Sequence, residues 1–362
     1  MLRKVVVYPF VFVSSVVASD YEFSFDELEE IETKSYEYSS YIKTEHKHQI
    51  LNKTFQETYL GEFYLNYKYF QDKYTFYGDF LANYENIDKS EDSNYNLNQA
   101  YINYKYNDNH QLNIGKKTPK WGKGYFVNPI AFIDKRKDPN NPEASRQGYT
   151  LLNYKYNKVY KGDIKNSSID IIYLRTTKEL NDELYDENSN ILALKSYILY
   201  KDIDIDLVYV YSDEVQNSYG VDFSTNIETN FEIHGEYGAN DDHYHSYLFG
   251  LKYLTSSELT ILSEYYYQNK QQTKKTPFYD NRYFINNFTK KEPCEILYFN
   301  IYYKNILNID DNSHQNNLGF VYSKIKNLEI DLSYGDYIGN SSSEYGQKLV
   351  DKFTYLKLKY SF

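Results

Sequence analysis

From residue 36 to its end the chain alternates apolar and polar side chains with a period of two. Alternation of this kind gives a β-strand one apolar and one polar face. Strands of about ten residues with a lipid-facing and a wet face are typical of transmembrane β-barrels. A soluble sandwich also alternates, but its strands are usually shorter. The segments that show the pattern most clearly are Ile203–Tyr211, Phe231–Tyr237 and Leu328–Tyr334.

The connections between these segments fall into two kinds. Short turns are predicted at residues 71–72, 107–109, 202–203, 228–229, 256–257 and 326–327. Long polar loops are predicted at 87–94, 119–146, 178–188, 240–243, 268–278, 306–314 and 339–350. In outer-membrane barrels, short periplasmic turns and longer extracellular loops alternate strictly along the chain. To keep this alternation (called parity below), a further strand is needed near Tyr279–Thr289, followed by a turn at Lys290–Pro293. We therefore predict an all-β, antiparallel transmembrane barrel of about 18 strands, with 16 as the alternative and both termini periplasmic.

Both ends of the chain carry signals that agree with export. Arg3 and Lys4 precede an apolar run, and small residues follow it, so residues 1–19 are predicted to be a signal peptide cleaved after Ala18 or Ser19. Residues 20–35 are acidic and are predicted to be a periplasmic lead-in to a barrel at 36–362. The last ten residues alternate up to a terminal Phe362, which resembles the C-terminal signal that the barrel-assembly machinery reads in Gram-negative outer-membrane proteins.

Composition supports this interpretation and excludes others. The chain has 46 Tyr and 21 Phe in 362 residues, yet its mean hydropathy is −0.73. Aromatic girdles at both membrane interfaces account for such a combination. A net charge of −11 argues against a nucleic-acid partner. The single Cys294 excludes an internal disulfide framework, and we expected it at an apolar strand position.

Motifs for catalysis and for metal binding are weak. His46/His48 and His243/His245 form two pairs, but two ligands are too few for a structural metal site, so we predict no metal and no cofactor. The chain has no Gly-x-Ser-x-Gly, phosphate-binding glycine loop or paired-His protease motif, and we predict that it is not an enzyme.

The segment Gly115–Gly148 departs from the alternation. It holds the only Trp and four of the seven prolines, and it is locally basic in an acidic chain. Parity makes it the third outer loop, which in porins characteristically folds into the barrel. We predict a constriction loop at 119–146. The candidate substrate-binding or constriction residues are Lys116, Lys117, Lys120, Trp121, Lys123, Asn128, Asp134, Lys135, Arg136, Lys137 and Arg146.

Carboxylates on the predicted inner faces complement this basic loop. They could simply line a wet interior, or they could form an acidic wall that favours cations. Charges of opposite sign across a constriction would create a transverse field that orients polar solutes. The carboxylates in question are Asp79, Glu85, Asp170, Asp204, Asp206, Glu232, Glu236, Glu329 and Asp331.

The pattern of Gly115, Trp121-Gly122, Asn128-Pro129 and Asp134 resembles a motif of poorly characterised proteobacterial outer-membrane barrels. In size the chain is similar to alginate-export-like and substrate-specific porins. The resemblance implies transport without choosing a substrate or a direction. This chain has Lys117 where the family usually has Gln.

We therefore expect a porin-like channel in the cell outer membrane for small polar or charged solutes. The alternatives are an export conduit or accessory barrel for a hydrophobic compound or a polysaccharide, and a non-conducting surface barrel or adhesin. The expected partners are the lipid bilayer, lipopolysaccharide, a small-molecule solute and the barrel-assembly machinery. We expect a monomer, with a trimer as the alternative.

Overall fold

A computed structural model describes residues 35–51, 54–88, 90–140, 146–185, 187–269, 278 and 280–362. The predicted signal peptide at 1–19 and the lead-in up to residue 34 lie outside the described residues. No helix in this described part of the chain has the length and apolar character needed to cross a membrane.

Eighteen strands account for most of the described chain. The first nine are β1 Tyr36–Leu51, β2 Thr54–Gln71, β3 Tyr74–Ile87, β4 Ser90–Lys105, β5 His110–Lys117, β6 Tyr149–Val159, β7 Ile164–Thr176, β8 Ser189–Tyr200 and β9 Ile203–Ser212. The others are β10 Ser218–Glu228, β11 Phe231–Asn240, β12 His245–Leu254, β13 Leu259–Gln268, β14 Arg282–Lys291, β15 Phe299–Asn308, β16 His314–Tyr322, β17 Leu328–Ile338 and β18 Val350–Ser361. A short 3₁₀ helix, Pro293–Glu295, precedes β15.

The strands form one closed antiparallel barrel. Each strand pairs with its neighbours in sequence, and β1 pairs with β18, so the sheet has no free edge. Closure satisfies the backbone hydrogen-bonding groups of every strand, which a membrane interior requires. The predicted count of eighteen is confirmed, and the alternative of sixteen is excluded.

Alternation along each strand separates two faces, as β9 shows. Leu207 and Tyr209 are exposed on the outside, whereas Asp206, Val208 and Val210 are buried on the inside. The C-terminal strand follows the same rule, and its inward Lys357 forms an ion pair of 2.9 Å with Asp331 of β17. The outward side chains of β18 that we predicted to face lipid are exposed: Leu356, Leu358, Tyr360 and Phe362.

The connections confirm the parity rule but correct two predicted loops. Residues 87–94 belong largely to β3, which ends at Ile87, and to β4, which begins at Ser90. The predicted loop at 240–243 is confirmed within one residue, since β11 ends at Asn240 and β12 begins at His245. Residues 306–314 include the end of β15 and the first residue of β16, so that connection spans only 309–313. Asn- and Asp-rich residues at these places alternate within strands, and polarity alone suggested a loop. The rim with the long connections 118–148, 177–188 and 339–349 is called the outer rim below.

A third correction concerns the region around Cys294. The predicted strand near Tyr279–Thr289 is β14, shifted to Arg282–Lys291, and the turn after it spans 292–298. Cys294 is exposed in that turn and has a positive φ of 55°. The prediction of an apolar strand position for Cys294 was therefore wrong.

Candidate functional site

The candidate site is the long connection between β5 and β6. Lys117 and Tyr149 are register partners, so the two ends of this segment are adjacent at the barrel wall. Between them, the described residues 118–140 and 146–148 leave the wall, and several of them contact inward-facing side chains on other strands. We call this segment the third loop, since it follows the third odd-numbered strand.

Asp134 organises the first turn of the third loop. Its two carboxylate oxygens accept the backbone N–H groups of Lys120 at 3.1 Å and of Trp121 at 2.7 Å. Lys120 has a positive φ of 62°, which lets the chain bend so that both N–H groups reach one carboxylate. Burial raises the pKa of Asp134 to about 6, although the two N–H donors act in the opposite direction. One side chain thus ties together two parts of the loop that are distant in sequence.

Two buried wall carboxylates hold the tip of the loop through its backbone. Glu236 of β11 accepts the N–H of Gly124 at 2.5 Å and that of Ile130 at 3.3 Å. Glu264 of β13 accepts the N–H groups of the next two loop residues, Tyr125 at 2.5 Å and Phe126 at 3.0 Å. Both carboxylates are buried. Each carboxylate accepts two N–H groups of the loop, so these four bonds fix the path of the tip.

Side-chain cations of the loop reinforce this arrangement. Lys123 lies 3.2 Å from Asp206 of β9, which also forms an ion pair of 3.3 Å with Lys195. Within the loop, Asn128 accepts the N–H of Lys137 at 2.7 Å, and the Lys137 Nζ donates to the carbonyl of residue 124. Two parts of the loop are thereby cross-linked by a single lysine.

The loop also reaches the remaining walls of the barrel. Lys304 of β15 donates to the carbonyl of Pro139 at 2.8 Å. Arg146 lies over the ring of Tyr64 in β2 at 4.9 Å, and its Nη1 is 3.4 Å from the hydroxyl of Tyr41 in β1. Since β1 and β9 are nearly opposite in a ring of eighteen strands, the loop crosses the interior.

Apolar packing seats the loop on β6 to β10. Trp121 and Ile133 are buried with inward-facing wall residues such as Leu174 and Val210. Removing apolar side chains from water stabilises this contact. Gly220 and Gly238 are register partners beneath the loop. A Cβ on either would lie 2.6 Å from the Ile130 Cγ2 or the Pro129 carbonyl oxygen, respectively, so glycine permits the close approach.

The other predicted residues occupy different environments. Lys117 of β5 lies over the ring of Tyr101 at 5.2 Å, and Lys120 is exposed. Lys116 pairs in register with residues of β4 and β6 at the end of its strand. The two remaining cations contact outer connections: Lys135 forms an ion pair of 2.5 Å with Glu183, and Arg136 donates to the Tyr244 hydroxyl at 2.9 Å.

Sequence reasoning missed several residues that the fold brings to the loop. Asp222 is fully buried and is the register partner of both Asp206 and Glu236. His234 and Glu264 are also fully buried. Alternation placed His234 on the inner face, but only the pairing of neighbouring strands shows which inward residues meet the loop.

A cavity of about 600 Å³ lies on the outer-rim side of the third loop. Aromatic side chains from the loop and the wall form part of its lining, and carboxylates from neighbouring outer connections form another part. Its lining includes Phe132, Arg136, Tyr149, Glu187, Glu214 and Tyr244.

Comparison with known proteins identifies the fold. OccAB2 from Acinetobacter baumannii is similar, with a TM-score of 0.57, 11% sequence identity and coverage of 91% of this chain and 98% of that chain. For OprD from Pseudomonas aeruginosa the values are 0.59, 9%, 91% and 94%. For Wzi from Escherichia coli, described as a carbohydrate-binding β-barrel involved in group 1 capsule assembly, they are 0.59, 11%, 91% and 85%. No family model and no curated protein matches the chain.

The chain has the fold of a Gram-negative outer-membrane β-barrel. Its closed sheet and apolar outer face place it in the outer membrane, as predicted. The resemblance of the loop motif to poorly characterised proteobacterial barrels, and that of the chain's size to alginate-export-like porins, stay hypotheses.

Proposed function

We propose that the chain is a porin-like channel for passive passage of small polar or charged solutes, and that residues 119–146 form its constriction. The observation that carries this proposal is the bridge that the third loop makes between nearly opposite walls. Barrels of this size otherwise leave a wide aqueous lumen. A loop fixed across that lumen would set the size of the solutes that pass.

The wall near Arg146, at the end of the third loop, carries polar side chains and therefore favours polar over apolar solutes. On β1 and β2, Glu62 accepts a hydrogen bond of 2.6 Å from Tyr41 and pairs with Lys43 at 2.9 Å. Asp79 of β3 accepts a hydrogen bond of 2.8 Å from Tyr64. A wall of ionised and hydrogen-bonding groups can replace part of a solute's hydration shell.

The loop cations have a different role from the one that sequence suggested. Lys123 is paired with a wall carboxylate, and Lys135 with a residue of another outer connection. Glu236 and Glu264 accept loop N–H groups, so they are loop anchors and not open lining. We propose that selectivity depends on the loop's position as much as on its charge.

Excision of the loop tests the proposal directly. Because Lys117 and Tyr149 pair at the ends of β5 and β6, an Asn-Gly turn in place of residues 119–147 closes the hairpin in its native register. We expect single-channel conductance in planar bilayers to rise roughly two-fold or more, since the bridge across the lumen is gone. Lys161→Gln, an exposed position in the short turn between β6 and β7, serves as a control that should keep wild-type conductance. Equal conductance of the excised and wild-type barrels would contradict the constriction.

An export conduit or accessory barrel is the second candidate. The observation that favours it is the extent of apolar packing inside the barrel, where the loop contributes to two buried clusters. Wzi, which shares the fold, is described as carbohydrate-binding. Reconstituted liposomes that neither conduct nor swell in neutral sugars or amino acids would support this candidate over the channel.

A further inference from the structure

We propose that the outer face of β13 to β17 binds a second copy of this chain within the membrane. A row of polar side chains, which we call the amide stripe, makes the contact. The inference goes beyond the proposed function, because it concerns the outside of the barrel and not its lumen. The members of the amide stripe, one from each of the five strands, are Ser263, Asn286, Asn305, Asn316 and Asp336.

The amide stripe runs without interruption across these neighbouring strands. Ser263 is the register partner of Asn286, which is in turn the partner of Asn305. Asn305 pairs in the same way with Asn316, and Asn316 pairs with Asp336. The Ser263 hydroxyl donates a hydrogen bond of 2.7 Å to the Asn286 Oδ1. The Asn316 Nδ2 donates one of 2.8 Å to the Asp336 Oδ1, so the five side chains form one polar surface.

The amide stripe lies on the outside of the barrel. Ile285 and Ile306, the chain neighbours of two of its members, are buried on the inside. Since side chains alternate across a strand, Asn286 and Asn305 face outward. Aromatic residues two positions away on the same face, Phe284 and Tyr303, are exposed as expected for the outer surface.

The depth of the amide stripe is one at which the outer face should be apolar. A tilted strand of about 9–11 residues crosses a membrane once, and β14 has ten residues. Asn286 is the central outward residue of β14, between Phe284 and Phe288. The charged outward residues of this strand, Arg282 and Lys290, are at its two ends. The amide of Asn286 is therefore at the level of the lipid chains and not of the head groups.

Other strands show what the lipid-facing surface of this barrel is like. The outward residues of β9 are all apolar or aromatic, and those between the ends of β12 are as well. Neither strand has an amide or a carboxylate on this face. The residues concerned are Ile203, Ile205, Leu207, Tyr209 and Tyr211 of β9, and Tyr247, Phe249 and Leu251 of β12. Amides at this depth are therefore a feature of one side of the barrel.

The hydrogen bonds along the amide stripe leave its centre unsatisfied. The Asn305 Nδ2 donates to the Asn316 Oδ1 at 2.9 Å. Among the described residues, however, the Asn286 Nδ2 donates to no acceptor and the Asn305 Oδ1 accepts from no donor, although the two residues are register partners. Lipid chains offer neither donors nor acceptors, and polar groups left without partners in hydrocarbon are strongly unfavourable. A protein surface can supply both.

A second copy of this chain fits the unsatisfied centre. An amide has both donors and an acceptor, so a surface with amides at its centre is complementary to an identical surface. A two-fold axis along the membrane normal brings the same patch of two copies together. Asn286 of one copy can then donate to the partner's Asn305, and symmetry forms the reverse bond. The one carboxylate of the row, Asp336, is at its end, so the centre brings no like charges together.

The exposed residues around the amide stripe add apolar area to this contact. Phe284, Tyr303, Leu318 and Tyr334 are exposed on the same outward face. Aromatic residues are enriched in the centres of protein interfaces. The patch therefore offers apolar packing around a hydrogen-bonded centre. The sequence led us to expect a monomer, and the amide stripe argues instead for a dimer.

Replacing the central amides by leucine tests the contact. The folded full-length chain is measured in micelles and in lipid nanodiscs by size-exclusion chromatography with light scattering. We expect two chains per particle for the wild type. In Asn286→Leu/Asn305→Leu, the dissociation constant of the dimer should rise roughly ten-fold or more, because two hydrogen bonds between the copies are lost. Leucine suits a lipid-facing position, so the barrel should keep its native migration and its strand content by circular dichroism.

Ser196→Leu is the matched control. Ser196 is a polar outward residue of β8, between Leu194 and Ile198, and it is not part of the amide stripe. Its replacement makes the same kind of change on another side of the barrel. The variant should associate like the wild type.

Crosslinking in cell envelopes identifies what occupies the patch. Cys294 is the only cysteine, so Cys294→Ser gives a cysteine-free background. In that background, Asn305→Cys treated with a short thiol-specific bifunctional reagent should give a product of twice the chain mass. Leu207→Cys, on the outward face of β9, should give none.

Two results would overturn the proposal. One is the absence of a product of twice the chain mass from Asn305→Cys, in which case the patch faces lipid, or a different protein if a product of another mass forms. The other is wild-type association of Asn286→Leu/Asn305→Leu in a correctly folded barrel. Neither result depends on conductance, so the proposed channel is tested separately by excision of the third loop.

Discussion

Glu236→Ala is the sharpest test of how the barrel holds its loop. The substitution removes the acceptor of two backbone N–H groups, those of Gly124 and Ile130, from a buried position. A buried donor left without a partner costs about 1–3 kcal/mol. With two such donors, the substitution should weaken docking of the loop by roughly 2–6 kcal/mol.

The effect should be confined to the loop. The interstrand hydrogen bonds of the closed barrel are untouched, so the variant should keep its native migration and its strand content by circular dichroism. Trp121 should become more accessible to acrylamide, because the tip no longer holds the loop against β6 to β10. Single-channel records should show larger or noisier currents. Glu236→Gln keeps one carbonyl oxygen as an acceptor, so its Trp121 quenching should lie between that of the wild type and that of Glu236→Ala.

Glu85→Ala is the matched control, because this carboxylate is on β3 and pairs in register with residues of β2 and β4. It should leave Trp121 quenching unchanged. If Glu236→Ala behaves like this control in a correctly folded barrel, the two hydrogen bonds do not hold the loop and our reasoning fails.

Two further predictions use the same fluorescence assay. Gly122 has a φ of 100°, and a Cβ there would lie 2.7 Å from the Glu236 Oε1. Gly122→Ala should therefore raise Trp121 quenching about as much as Glu236→Ala does. If Gly122→Ala keeps the wild-type quenching, glycine is not needed at this turn. Asp134 has a pKa of about 6 in the docked loop, above its ordinary 3.8, so the docked state binds this proton more tightly. Docking should therefore weaken from about pH 4 to about pH 6, and Asp134→Asn should reduce this change; a profile of Asp134→Asn equal to that of the wild type would refute it.

The fold could be predicted because its signals are local. A period of two needs only neighbouring residues, and the parity of turns places the additional strand now seen as β14. The predicted loop at 87–94 failed because polar residues also form strands at the outer rim. Residue composition cannot separate a wet strand from a loop there.

The site was harder to predict because it depends on pairing across strands. Asp206 and Glu236 were recognised as inward-facing, but their contact with the loop follows from the register of β9 to β11. Gly250 gave no signal in the sequence. Only the register of β11 to β13 shows that this glycine lies between His234 and Glu264. The positions of the loop cations likewise depend on the irregular path of the third loop, which no periodic pattern in the sequence describes.

The wall of this barrel holds the third loop through hydrogen bonds to the loop's main chain. Glu236 and Glu264 accept N–H groups, which every residue except proline supplies at positions 124, 125, 126 and 130. The side chains at these positions are therefore not specified by the anchors themselves. If the third loop is the constriction that we propose, substitutions at the partly exposed Tyr125 would change the size and charge of the opening without releasing the loop. The bonds that hold the loop in place would then be separate from the side chains that meet the solute.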